Sequence, residues 1–64
     1  MAKIIANGQH VLAGRLADFL SEAGWKPTQV VVELNGEVVP KAKIEEIQLN
    51  DGDRVEVIVP VAGG

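Results

Sequence analysis

The stretch Val30-Val31-Val32-Glu33-Leu34-Asn35-Gly36-Glu37-Val38-Val39-Pro40 decides the fold. A Val-rich run meets Asn-Gly, and a second Val run stops at a proline. Asn-Gly supplies the two positive-φ positions of a type I′ turn, the strongest short hairpin signal in a sequence. The stretch therefore predicts a hairpin of Val30–Leu34 with Glu37–Val39. Pro40 has no N–H to offer a ladder and ends it. Alternation of side chains along a strand places Val30, Val32 and Leu34 toward a core and Val31 and Glu33 outward.

The same logic extends in both directions. Upstream, Ile4-Ile5-Ala6 leads into Asn7-Gly8, predicting a first hairpin of Lys3–Ala6 with Gln9–Leu12. Whether Ile4 or Ile5 faces the core stays open at this point. Downstream, the turn Asn50-Asp51-Gly52-Asp53 precedes the run Arg54–Val59, where Val55, Val57 and Val59 are expected inward and Arg54, Glu56 and Ile58 outward. Between the hairpins the period changes. Leu16, Phe19, Leu20 and Ala23 recur at i, i+3, i+4 and i+7, on one face of a helix. Gly24 suits the left-handed position after a helix end, and Pro27 forbids continuation. Ala13 and Gly14 stand where a capping Ser, Thr or Asp is preferred, so the helix start is poorly marked. A short helical turn is expected over Lys43–Ile47. The order strand, strand, helix, strand, short strand, strand reads as an α+β fold: a mixed sheet of about five strands with one main helix packed across it. Residues 1–60 form the domain and 61–64 a flexible tail.

Composition bounds the function. The chain has 64 residues, 6 Lys plus Arg against 9 Asp plus Glu, one His and no Cys. Domains this small usually rest on disulfides, a metal or very regular packing. Without Cys a disulfide is impossible, and a lone His does not make a structural zinc site. A domain of this size buries only about 60% of its unfolded surface. It cannot both fill a core and wall a cleft of roughly 300 Å³ or more, which argues against a self-contained enzyme. A net charge of −3 argues against nucleic acid, whose binding relies on Lys and Arg at phosphates. No apolar run approaches the roughly 18 residues that span a bilayer, and no signal region follows Met1-Ala2-Lys3. A cytoplasmic setting is the expectation, with no cofactor and no metal bound.

The sequence closes with Val59-Pro60-Val61-Ala62-Gly63-Gly64. Two glycines make the thinnest possible chain, suited to threading into another protein's active site. The distinctive group such a tail offers is a terminal carboxylate, inert until activated. Gly64 would then be a substrate and not a catalyst, which leaves the catalytic set empty.

The run Val30 to Lys41, the run Leu49-x-Asp51-Gly52-Asp53-Arg54-Val55-Glu56-Val57 and the Gly63-Gly64 end together resemble the sulfur carrier proteins of thiamin biosynthesis, the ThiS family. The resemblance implies the ubiquitin-like β-grasp fold. It also implies that a ThiF-type enzyme uses ATP to adenylate the carboxylate of Gly64. Sulfur drawn from cysteine through a cysteine desulfurase then makes a thiocarboxylate, which is delivered to thiazole synthase. Gly63 and Ala62 thread the tail. Lys41 stands where the family usually has Arg, and Ile44 where an aromatic is common. Ala62-Gly63-Gly64 also occurs in the related molybdopterin sulfur carriers (MoaD), which are generally longer. A ubiquitin-like modifier or plain interaction module is a further alternative. The second half also resembles the swapped-hairpin DNA-binding fold of AbrB-like proteins, but that reading leaves the Gly-Gly end without a purpose.

Other residues have plainer readings. His10 is expected in solvent and Trp25 as a lid over one core edge. Asp51 and Asp53 are expected to build a turn through side-chain hydrogen bonds, and Glu45 and Glu46 to form a solvated face. Alternation aims Ile58 at solvent beside Arg54 and Glu56, and Val31 on a neighbouring strand should face the same way. Apolar residues that cluster there mark an interaction site. With Glu33 and Glu56 steering, they are the expected docking surface for the activating enzyme. The free chain is expected to be a monomer.

Overall fold

Both Asn-Gly pairs form the turns their sequence requires. Asn7 and Gly8 sit at φ +47° and +81°, and Asn35 and Gly36 at +53° and +86°, the pair of left-handed conformations that defines a type I′ hairpin. The computed structural model describes residues 1–60. Its strands are β1 (Ala2–Ala6), β2 (Gln9–Ala13), β3 (Val31–Leu34), β4 (Glu37–Val38) and β5 (Arg54–Ile58), with one α-helix, α1 (Leu16–Glu22). Short 3₁₀ helices cover Pro27–Gln29, which no pattern in the sequence announces, and Lys41–Glu46, close to the expected Lys43–Ile47.

The sheet runs β2-β1-β5-β3-β4. First and last strands pair in parallel at its centre, and every other pair is antiparallel. A parallel pair requires a crossover, and α1 supplies it across one face. This is the mixed five-stranded sheet of the ubiquitin-like β-grasp. Its topology leaves no place for the swapped-hairpin alternative, because β3, β4 and β5 share one sheet with β1.

Ile4, Leu16, Leu20, Val32, Ile44 and Val55 are the fully buried side chains. They bring together the inner face of the sheet, the inner stripe of α1 and the 3₁₀ helix that closes the far side. The open question at β1 resolves in favour of Ile4: it is inward with Ala2 and Ala6, and Ile5 is half-buried on the outer side.

Two inward expectations are corrected. Ala23 is exposed, because the helix ends at Glu22 and Ala23 is its C-cap. Val59 is 53% exposed. β5 stops at Ile58, which pairs with Val31, the first residue of β3, so no neighbouring strand flanks Val59 on that side.

The helix ends are held by different means. At the C-terminus, the Gly24 N–H donates to Ser21 and the Trp25 N–H to Leu20, at 3.1 and 2.8 Å. With Gly24 at φ +85° this is a Schellman motif. Its following residue, Trp25, lies half-buried on the core edge as expected. At the N-terminus no side chain caps the helix. The chain after the second 3₁₀ helix does so instead: the Leu16 N–H donates to the Ile47 carbonyl at 3.1 Å, and the Leu49 N–H to Gly14 at 2.8 Å.

Candidate functional site

β5 is the strand from which the C-terminal segment leaves, so its outer face is the natural place to look. Alternation points Arg54, Glu56 and Ile58 away from α1, and all three are exposed. Register places Val31 directly opposite Ile58 and Glu33 directly opposite Glu56. The four residues singled out from sequence therefore form two cross-strand pairs on one open face. Ile58 is 42% exposed, and Val31 and Glu33 are half-buried. Val38 of β4 lies opposite Glu33 and is 61% exposed. It extends the apolar part of the face, and sequence reasoning missed it.

Glu33 and Glu56 put like charges face to face, an arrangement that costs stability. Among the described residues the ion pair formed is Lys43–Glu46, elsewhere on the surface. Among the described residues neither Glu33 nor Glu56 takes part in an ion pair.

What fixes β5 is a set of side-chain hydrogen bonds from turn residues. The Asn35 side-chain oxygen accepts the Arg54 N–H at 2.9 Å, and the Asn7 side-chain oxygen accepts the Val57 N–H at 2.9 Å. Asn35 also donates from Nδ2 to Asp53 Oδ1 at 3.0 Å, and Asp53 Oδ2 accepts the Asn50 N–H at 2.8 Å. Asp53 builds the turn as expected, but Asp51 does not: its side chain bonds the neighbouring strand β1 instead. Its Oδ1 accepts the Lys3 N–H at 2.7 Å, and the Gly52 N–H returns a bond to the Lys3 carbonyl at 2.9 Å. The Asn35-Gly36 turn and the Asp51-Gly52-Asp53 motif are therefore joined through the Asn35–Asp53 bond, and Asn7 holds β5 from the other side.

The remaining candidates stay apart from this face or lack partners for chemistry. His10 is exposed on edge strand β2, opposite Ile5. Trp25 borders an open groove with Ala17, Ser21 and Pro27. Among the described residues no group of three or more His, Cys, Asp or Glu is placed to hold a metal ion, and no helix is long and apolar enough to cross a membrane. Ala62, Gly63 and Gly64 lie outside the described residues, as does the expectation of a flexible tail over 61–64.

The ThiS family model matches residues 4–64, nearly the whole chain and its Gly63-Gly64 end included. The chain belongs to the ThiS family. The crystal structure of a thiamine biosynthesis protein (ThiS) from Geobacter metallireducens superposes with a TM-score of 0.80 at 28% identity, covering 97% of this chain and 99% of that one. The solution structure of a thiamine biosynthesis protein from the same organism gives 0.73 at 28% identity, covering 97% and 87%. A curated relative, a thiazole synthase of Paramagnetospirillum magneticum, is 32% identical over 65 residues. That match takes in 97% of this chain but 20% of the relative, so the chain spans about a fifth of that protein's length. The ThiS assignment accounts for a small β-grasp domain whose internal motifs are spent on holding a strand in place.

Proposed function

We propose that this ThiS family member carries sulfur for thiazole formation in thiamin biosynthesis, on the carboxylate of Gly64. A ThiF-type enzyme transfers AMP from ATP to that carboxylate, and pyrophosphate leaves. The outer sulfur of a persulfide, formed from cysteine by a desulfurase, then attacks the acyl carbon and AMP leaves. A second thiol of the partner cleaves the resulting acyl disulfide, which releases the thiocarboxylate and leaves a disulfide on the partner. Thiazole synthase takes the sulfur. The chain supplies a recognisable surface and a slim end, and its partners supply catalysis in the cytoplasm. The observation that carries this reading is the family match running through Gly63-Gly64. The thiazole synthase relative supports the choice of acceptor over molybdopterin synthase.

The short tail also supports the docking surface. Four residues beyond Pro60 reach at most about 14 Å when fully extended. An active site that receives Gly64 must therefore approach the end of β5, where Val31, Ile58, Glu33 and Glu56 lie. Incubation with ATP, a ThiF-type enzyme and a sulfur source should replace one oxygen by sulfur, located at Gly64 by fragment mass spectrometry. A chain left unmodified by both thiamin-type and molybdopterin-type activating enzymes would overturn the reading in favour of an interaction module.

A further inference from the structure

The two Asn-Gly turns share a sequence, a turn type and nearly the same backbone angles, yet they hold their asparagines differently. Asn35 is tethered at both ends of its amide: Oδ1 accepts the Arg54 N–H, and Nδ2 donates to the carboxylate of Asp53. Among the described residues Asn7 is tethered at Oδ1 alone, by the Val57 N–H. Both residues are exposed.

Asn-Gly is the dipeptide most open to intramolecular attack, because glycine puts no side chain in the way of its own backbone nitrogen. The Gly8 nitrogen bonds to Asn7 Cγ, the Cγ–Nδ2 bond breaks, and ammonia leaves with a cyclic imide formed. Water then opens the ring at either carbonyl, giving aspartate or isoaspartate. No redox change is involved, and water is the sole co-reactant. The attack requires the side chain to rotate so that Cγ faces the following nitrogen. At Asn35 that rotation breaks two hydrogen bonds. The Asp53 carboxylate also holds electron density on Nδ2, which makes Cγ a poorer electrophile. At Asn7 one bond breaks, and among the described residues no carboxylate touches Nδ2.

We propose that Asn7-Gly8 is a site of spontaneous deamidation and backbone isomerisation, and that Asn35-Gly36 is protected from it by Asp53. The consequence reaches the functional end of the molecule. Isoaspartate routes the main chain through Cβ and Cγ and lengthens it by one carbon. The oxygen that accepts the Val57 N–H is thereby displaced, next to Ile58 and the root of the tail.

The test is incubation of the intact protein at mildly alkaline pH and body temperature. Peptide mapping then quantifies isoaspartate at 7 and at 35, and hydrogen exchange follows the Val57 amide. Isoaspartate at 7 should accumulate severalfold faster than at 35, with faster Val57 exchange in the converted fraction. Equal or faster conversion at 35 would overturn the proposal. So would the absence of conversion at 7 over a period in which a free peptide of the same sequence converts. In Asp53→Asn, which keeps the side-chain volume, the ratio of conversion at 35 to that at 7 should rise. An unchanged ratio overturns the protective role of Asp53.

Discussion

The side-chain oxygen of Asn35 accepts the backbone N–H of Arg54 at 2.9 Å, while the Asn35 N–H donates to the Arg54 carbonyl at 2.8 Å. An antiparallel ladder would normally use the Asn35 carbonyl for the first of these bonds. The left-handed conformation that makes the turn directs that carbonyl elsewhere, and the side chain takes its place. Asn7 does the same for Val57 on the other side of β5. Asparagine is thus used twice over at each turn, for its tolerance of positive φ and for its acceptor.

Asn35→Gly separates the two uses. Glycine adopts the backbone angle freely but leaves the Arg54 N–H and Asp53 without their partner. At about 0.5–1.5 kcal/mol for each hydrogen bond lost, the variant should be roughly 1–3 kcal/mol less stable. Urea denaturation would show this as a lower midpoint at unchanged slope. Asn35→Asp keeps the acceptor but sets a carboxylate against Asp53, and it should be destabilised as well.

Gly24→Ala tests the helix end in isolation. A Cβ at Gly24 would meet nothing within 4 Å, so its cost comes from the backbone alone, at φ +85°. A left-handed alanine costs roughly 1–2 kcal/mol, and each kcal/mol moves the melting temperature of a domain this size by about 4–8 °C. Gly24→Asn should lose less than Gly24→Ala, because asparagine tolerates the left-handed region better. Thermal melts of the two variants will show the difference.

How much of this was legible in the sequence follows from how local each signal is. Asn-Gly and the Leu16, Phe19, Leu20 stripe act within a few residues and read directly. Val38 did not read, because a two-residue strand is too short for alternation to set its phase. The start of α1 did not read either, since its cap is the Ile47 carbonyl, some thirty residues away. Val59 fits the inward alternation of Val55 and Val57. It misleads because the length of β3, and not the pattern of β5, decides where the sheet ends. The partner pairs Val31 with Ile58 and Glu33 with Glu56 were visible as outward residues, but their opposition required the register.

Ile44 sits on the second 3₁₀ helix and is 2% exposed. Truncation to Ala should cost about 2–5 kcal/mol through lost contacts and the cavity left behind. Ile44→Phe should also destabilise, by roughly 1–3 kcal/mol, because a larger ring inserted into a close-packed core displaces its neighbours. A stabilised Phe variant in chemical denaturation would show instead that this core holds unfilled volume.

Ile58→Glu separates docking from folding. Its side chain is exposed on the outer face, so stability should stay within about 0.5 kcal/mol of the parent. An apolar anchor in an interface is commonly worth about 1 kcal/mol or more. The kcat/KM for adenylation by a ThiF-type enzyme should therefore fall about fivefold or more. Steady-state kinetics with the carrier as varied substrate would measure it, and unchanged values would remove Ile58 from the docking surface.

Glu56→Gln should move stability and recognition in opposite directions. In the free domain Glu56 faces Glu33 across the β3–β5 pair, so neutralising it removes a repulsion and should stabilise the fold by about 0.2–1 kcal/mol. On the proposed docking surface the same change would remove a charge that draws in a basic partner. Such charges act chiefly on the association rate and its dependence on salt. Stopped-flow binding to the activating enzyme should show slower association at low ionic strength, converging with the parent as salt is raised. A variant that gains stability and binds at the parent rate would mean that the acidic pair serves another purpose. One that loses stability would mean that the facing carboxylates do not repel in the folded chain. Opposite signs in the two measurements are expected only if an acidic pair unfavourable to the free domain is kept for its partner.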